Sequence, residues 1–182
     1  MTPGDSLRKT LEFWHWYPGM LCEGLTEEQL HWQPENHNNH ITFAIWHAYR
    51  SEDDIIHRLL IGSDTIFVTD GWADRLPVAE PGEPAFGTGL NREQIAAVHL
   101  DLPTLLEYVD AVGKSMQEYA DSLTEETAAE ELPLPFFASV YPIIDKLSRF
   151  EILNFFSVGH VAEHLGEVQY IKGMLGLRGA PL

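Results

Sequence analysis

The chain has 182 residues, and its 28 acidic and 11 basic side chains give a formal net charge of −17. Hydrophobic residues make up 45% and charged residues 21% of the sequence, which is typical of a globular protein with an ordinary core, so we expect residues 1–182 to form a single domain. Nucleic acids and anionic membranes are bound mainly through lysine and arginine, and here those residues are few and scattered. The composition therefore argues against both partners and leaves small molecules and cations.

The sequence also indicates a compartment. It contains no run of about 18 apolar residues that would cross a membrane, and its first residues, MTPGDSLRKTLEFW, lack the pattern of a secretory signal. Cys22 is the single cysteine, so no disulfide can form within the chain. We therefore expect a cytoplasmic protein.

Two helices are predicted in the first third of the chain. The first runs from about Asp5 to Cys22, where apolar residues recur at helical spacing, and Pro18 is expected to kink or shorten it. The second runs from about Ile41 to Ile61 and has Asn38 and Asn39 as candidate N-caps.

The segment from Ser63 to Leu90 is rich in glycine and proline and shows no helical periodicity. A connection of this length inside a compact domain is usually functional or mobile, so it is a candidate cover for a pocket. Trp72 either lines that pocket or anchors the loop on the bundle, and the anchor is the simpler interpretation. The strand-like run Thr65–Val68 is too short and isolated to predict a sheet.

Two more helices follow in the second half. Asn91 and Gln94 have the spacing of a capping box, and Pro103 predicts a break before a helix that runs to about Leu123. The last helix is predicted from about Ile143 to Leu175. Four helices with long connections between them predict an all-α fold, a four-helix bundle with long crossover loops.

The last helix carries a pair of histidines that could hold a metal ion. His160 and His164 lie four positions apart, so their side chains project within about 40° of each other from one helix face. Two imidazoles at this spacing can bind one cation. Apolar residues surround the pair and place it near the core, namely Leu153, Phe156, Val161, Leu165, Val168 and Ile171.

His47 is the best candidate for a third ligand. It lies in FAIWHAYR, and a histidine in such apolar surroundings costs free energy unless its nitrogens find partners. Taken alone, a spaced pair of histidines more often binds no metal, and a core histidine is more often hydrogen-bonded to a neighbour. The three together favour a metal site.

The other polar residues near these helices keep two interpretations each. Glu167 shares the face of the histidine pair, so it either orients a ligand histidine or acts as a catalytic proton shuttle, or it belongs to a solvated acidic edge. The direction of His15 is open. Four further histidines are expected to be solvated, namely His31, His37, His57 and His99.

Three segments resemble the DinB-like superfamily of metal-binding four-helix bundles. NNHITFAIWHAYRSEDD is similar to that family's second helix, DGWADRL to its crossing loop, and HVAEHLGEVQYIKGMLG to its last helix. The resemblance extends over roughly Leu7 to Leu177. Lys172 stands where the family more often has arginine, and this leaves the histidines unaffected.

The resemblance implies a site and a chemistry. The family's metal triad corresponds to His47, His160 and His164, and characterised members hold a divalent ion, often zinc or nickel. Some are transferases or isomerases that depend on a low-molecular-weight thiol, such as mycothiol or bacillithiol, and homodimers are common. The resemblance does not identify a thiol pocket in this chain.

Three functions remain open at this stage. The first is a divalent-metal-dependent enzyme, a thiol S-transferase or isomerase that acts on a small electrophilic molecule, because three histidines leave an open coordination position. The second is a non-enzymatic bundle that binds a metal or a small molecule. The third is a structural bundle whose histidines are hydrogen-bonded core residues.

Overall fold

The computed structural model describes residues 2–35, 39–78, 86–141 and 143–179. The chain is predominantly helical, which confirms the all-α prediction. Four long helices build the bundle: α1 (Pro3–Cys22), α3 (Ile41–Asp54), α7 (Leu102–Ser122) and α11 (Val161–Met174). Helix α1 packs mainly on α7, and α3 packs mainly on α11. The short helices are α2 (Glu27–Leu30), α4 (Ile66–Thr69), α5 (Trp72–Arg75), α6 (Arg92–Ala96), α8 (Glu125–Ala128), α9 (Pro135–Val140) and α10 (Arg149–Ile152).

Two of the long helices include π-helical turns. Helix α3 continues directly into the first π-helical segment, Ile55–Ile61, which ends at Gly62 in the left-handed conformation. The second π-helical segment, Leu153–His160, joins α10 to α11. Such wide turns are frequent at functional sites. The second π-helical segment places His160 inside the bundle.

Helix α1 passes through Pro18 and continues to Cys22, so the expected shortening is wrong. Proline has no N–H, and Pro18 therefore leaves the carbonyl of Trp14, four residues earlier, without its helical donor. The hydroxyl of Tyr49 on α3 donates a hydrogen bond of 2.5 Å to that carbonyl. A tertiary contact thus replaces the missing helical bond.

The starts of two helices differ from the prediction. His40, and not an asparagine, caps α3, because its Nδ1 accepts the N–H of Phe43; Asn38, like His37, lies outside the described residues. The last helix begins at Arg149 because Lys146–Ser148 forms strand β2. Strand β2 pairs antiparallel with strand β1, Glu131–Pro133, in a two-stranded sheet.

The strand-like run near Thr65 is helical because of a buried carboxylate. Asp53 accepts the N–H groups of Ile66 and Phe67 at 3.1 Å and 3.0 Å, which caps α4. The hydroxyl of Tyr108 also donates to Asp53, at 2.7 Å. Asp53 therefore holds the start of the long connection against the bundle.

Trp72 anchors the same connection, as the simpler interpretation predicted. Its side chain is buried in the core against Tyr108, and the Arg75 guanidinium lies 4.2 Å from its ring centroid. None of the described helices is long and apolar enough to cross a membrane.

Candidate metal centre

Three imidazole rings from two facing helices meet inside the bundle. His47 lies on α3, His160 ends the second π-helical segment, and His164 lies one turn later on α11. Each ring offers one nitrogen such that the three nitrogens lie within 4.8 Å of one another. The ring centroid of His164 is 4.6 Å from those of both other histidines. The sequence prediction that these three side chains converge is therefore correct in geometry.

A carboxylate fixes the orientation of the His164 ring. Its Nδ1 lies 2.9 Å from Oε2 of Glu167, one turn along the same helix. A carboxylate oxygen only accepts, so Nδ1 carries the proton and, in the neutral ring, Nε2 presents a lone pair. The other carboxylate oxygen accepts a hydrogen bond of 2.8 Å from the side-chain amide of Asn39.

A backbone carbonyl fixes the His47 ring in the same way. Nδ1 of His47 donates to the carbonyl oxygen of Phe86 at 2.5 Å, and this leaves the Nε2 lone pair for another partner. Gly87 shapes the chain here, with φ at +81° and its Cα so close to α3 that a Cβ would lie 2.9 Å from the rings of Phe43 and Trp46. Only glycine fits this position without strain.

His160 lacks the partner that the other two rings have. Its Nε2 lies 3.2 Å from Nε2 of His164, and its buried Nδ1 has no hydrogen-bond partner among the described residues. A buried polar atom without a protein partner is costly, and an ordered water or an ion commonly supplies the missing contact. Nε2 is therefore the atom that His160 directs toward the His164 ring, where the two nitrogens can share one hydrogen bond or bind one ion.

Burial keeps two of the rings neutral, which is the form that binds metal. It lowers the pKa of His47 from its ordinary value to about 4, and the neighbouring His164 adds to this effect. The pKa of His160 falls to about 3, because of burial first and the two other rings second.

The residues present fit a divalent ion. Nitrogen ligands at about 2.0–2.1 Å from a tetrahedral zinc ion lie roughly 3.4 Å apart, and the Nε2 atoms of His160 and His164 are 3.2 Å apart. Imidazole ligands suit zinc, nickel, iron and copper alike. Three ligands leave at least one coordination position for water or substrate.

A cavity of about 410 Å³ opens beside the histidines. His47 and His160 both line it, and Phe86 and Thr88 from the long connection close one side. The connection thus covers a pocket, as predicted, through Phe86 and not through Trp72. The volume lies within the roughly 300–1,000 Å³ of small-molecule sites.

A family comparison agrees with this architecture. The family model of the DinB superfamily matches residues 20–168, which is more than half of the chain. The chain belongs to the DinB superfamily. The crystal structure of a conserved protein from Enterococcus faecalis matches this DinB-superfamily chain with a TM-score of 0.80 and 18% identity, over 97% of this chain and 99% of the other. At that identity the likeness shows the fold alone. None of the curated proteins matches the sequence.

The remaining histidines of this DinB-superfamily protein serve other contacts. His57 is buried, so its predicted solvation is wrong; its Nδ1 lies 2.7 Å from Asp53 and its Nε2 2.9 Å from the hydroxyl of Ser115. His15 lies 3.0 Å from the buried carboxylate of Glu52. The predicted solvation of His31 is also wrong, because its side chain is only 7% exposed and its Nε2 accepts the N–H of Leu100. His99 is exposed, as expected.

Sequence reasoning missed two groups that position the ligands. The Phe86 carbonyl could not be recognised from the sequence, because every residue has a backbone carbonyl. Asn39 was noted as a candidate cap, and its amide instead holds Glu167. A glycine after an aromatic residue in a loop is a weak hint at a close backbone approach.

Proposed function

We propose that His47, His160 and His164 bind one divalent metal ion, zinc or nickel, and that the protein is a metal-dependent enzyme. The observation that carries this proposal is the convergence of three ring nitrogens within 4.8 Å, two of them with lone pairs fixed inward by Phe86 and Glu167. A hydrogen bond between Nε2 of His160 and Nε2 of His164 can satisfy two of these nitrogens, whereas one bound ion would satisfy all three. Here the nitrogens face one another beside an open cavity.

The reaction class that we propose is transfer or isomerisation of a small electrophilic molecule by a low-molecular-weight thiol. A divalent ion held by three histidines would supply Lewis acidity at its open position and lower the pKa of a thiol or water there. In a transfer, the thiol loses its proton, its sulfur forms a bond to the electrophilic carbon, and the leaving group departs with the bonding electron pair. In an isomerisation, the thiolate adds in the same way and is itself expelled with the electron pair of the carbon–sulfur bond.

The chain's own residues have separate roles in this proposal. The three histidines hold the ion, and Glu167 is a positioning residue that keeps Nε2 of His164 directed inward. Glu163 lines the cavity and is exposed, so its carboxylate can receive the thiol proton and pass it to solvent. The cavity walls hold the electrophile and exclude water from it.

Metal analysis of the untagged protein tests the site. We expect about one divalent ion per chain in the native protein and in the variant His99→Ala, whose histidine is exposed and outside the centre, and a large loss in His160→Ala. Equal metal content in all three would overturn the site. Turnover of an electrophile by several thiols, with and without the ion, then tests the reaction; bound metal with no metal-dependent turnover would indicate a binding protein.

A further inference from the structure

The cavity beside the histidines has an aromatic and apolar wall. Phe155 and Phe156 come from the second π-helical segment, Phe137 from α9, and Phe86 from the long connection. The rings are arranged as a cluster, with centroids 4.9 Å apart for Phe155 and Phe156 and 4.8 Å apart for Phe137 and Phe156. Aromatic faces of this kind bind apolar groups of aromatic size.

The wall contains no positive charge. None of the cavity-lining residues in the described part of the chain is lysine or arginine, and the segments outside the description contain neither residue type. The arginines nearest in sequence to the wall, Arg50 and Arg58, both form ion pairs with Asp54, at 3.5 Å and 3.4 Å. An anionic group in the cavity would thus find no protein cation.

Negative charge is present instead. Glu163 lines the cavity, and the chain as a whole has a formal net charge of −17. A carboxylate taken into an apolar pocket without a cation or enough donors loses hydration that nothing replaces. A like charge at the same wall adds repulsion.

We propose that this cavity binds the uncharged, aromatic or similarly apolar portion of the substrate, and that it rejects substrates with a carboxylate at that position. The assignment of this group as a substrate rests on the proposed function of the adjacent centre. Because His47 and His160 line the same cavity, an apolar group seated on the phenylalanine rings brings an attached electrophilic carbon to the histidines.

Two naphthalene compounds of equal size test the charge preference, the neutral 2-naphthamide and the anionic 2-naphthoate. Binding is measured by calorimetric titration of the full chain, first after removal of metal by a chelator, since a bound ion would itself attract the carboxylate, and then after zinc loading. We expect the metal-free protein to bind the amide about tenfold or more tightly than the carboxylate. Equal affinities, tighter binding of the carboxylate, or no binding of either compound would overturn the proposal.

Charge-adding variants test whether the preference arises at this wall. Phe155 is 40% exposed, so Phe155→Arg is tolerated sterically, and Phe13→Arg on α1 is the matched control at 43% exposure. We expect the amide-to-carboxylate affinity ratio to fall about tenfold in Phe155→Arg and to stay unchanged in Phe13→Arg. Thr88→Lys, an exposed wall position on another element, gives the same test where Phe155→Arg does not fold.

The two proposals fail separately. Preference for the amide in metal-free protein together with absent metal in the native protein would refute the metal centre and keep the cavity as a binding site for uncharged aromatic groups. A bound ion together with an unchanged ratio in both wall variants would refute the cavity assignment and keep the metal centre.

Discussion

Oε2 of Glu167 lies 2.9 Å from Nδ1 of His164, while the other carboxylate oxygen accepts the amide of Asn39 at 2.8 Å. One oxygen of Glu167 therefore holds the His164 ring, and the contact of the other oxygen with Asn39 holds the carboxylate itself in place. This arrangement favours the orienting role over the proton-shuttle role that the sequence left open.

The substitution Glu167→Gln is expected to weaken metal binding by about 10–100-fold. A glutamine can offer His164 only a neutral amide oxygen, and its NH₂ end must then face Asn39, whose amide has to turn its oxygen toward it, so the ring is held less firmly. Competition with a chromophoric chelator measures the affinity. Glu163→Gln, on the same helix but exposed, is the control and should bind metal as the native protein does. Equal weakening in both variants would point to net charge and not to ring orientation.

Gly87→Ala is expected to weaken metal binding through the Phe86 carbonyl. Its Cβ would lie 2.9 Å from Phe43 and Trp46, so the connection must move and the contact to His47 with it. Gly89→Ala is the matched control, because Gly89 also has a positive φ, +88°, but nothing within 4 Å of its would-be Cβ. Both variants should lose about 1 kcal/mol of unfolding free energy from the backbone. Chelator competition should show a lower affinity in Gly87→Ala alone; a similar drop in Gly89→Ala would contradict this account.

Asp53→Asn is expected to lower the free energy of unfolding by about 3 kcal/mol. The carboxylate accepts from two backbone N–H groups, from the Tyr108 hydroxyl and from His57, and an amide turns its NH₂ toward one of these donors. Urea denaturation measures the loss. The exposed Asp110, whose partner is Lys114, provides the control, and Asp110→Asn should cost less than about 1 kcal/mol. A loss of less than about 1 kcal/mol in Asp53→Asn would show that the contacts of the Asp53 carboxylate are not important for stability.

The pair His15–Glu52 predicts a pH dependence of stability. Both partners of the ring, the Leu11 carbonyl and the Glu52 carboxylate, are acceptors, at 2.8 Å and 3.0 Å, so the ring satisfies both when it carries two protons. Burial lowers the pKa of His15, but Glu52 outweighs burial and leaves the pKa above the ordinary value of 6.5.

A raised folded-state pKa means that the stabilisation is complete below pH 6.5 and is lost as the pH rises through the folded-state value. The unfolding free energy of the native protein should therefore exceed that of His15→Gln most at about pH 6, and the difference should shrink toward about pH 9. The exposed control His99→Gln should differ little from the native protein throughout. A difference that grows with pH would reverse the sign and refute the ion pair.

The sequence predicted the long helices and the histidine triad because both depend on local spacing. His160 and His164 share a face by helical geometry alone, and the apolar neighbours of His47 showed that its side chain points inward. His57 was misjudged because its charged neighbour Arg58 suggested solvent, whereas the decisive contact is with Asp53 one turn earlier.

The other errors concern contacts between segments that are not adjacent in the chain. Strands β1 and β2 are only three residues each and exist through their pairing, which no local pattern encodes. The continuation of α1 past Pro18 likewise depends on Tyr49, which is remote in sequence. The phenylalanine wall of the cavity could not be predicted, because it combines a loop, a short helix and a π-helical segment.

The π-helical turns of Leu153–His160 determine the directions in which Phe155 and Phe156 project relative to His160. Deleting one residue from this stretch would restore narrower turns and rotate Phe155 and Phe156 by about 100° relative to His160. The segment would remain helical, but the phenylalanine rings of the cavity and the imidazole of His160 would point to different sides of the bundle.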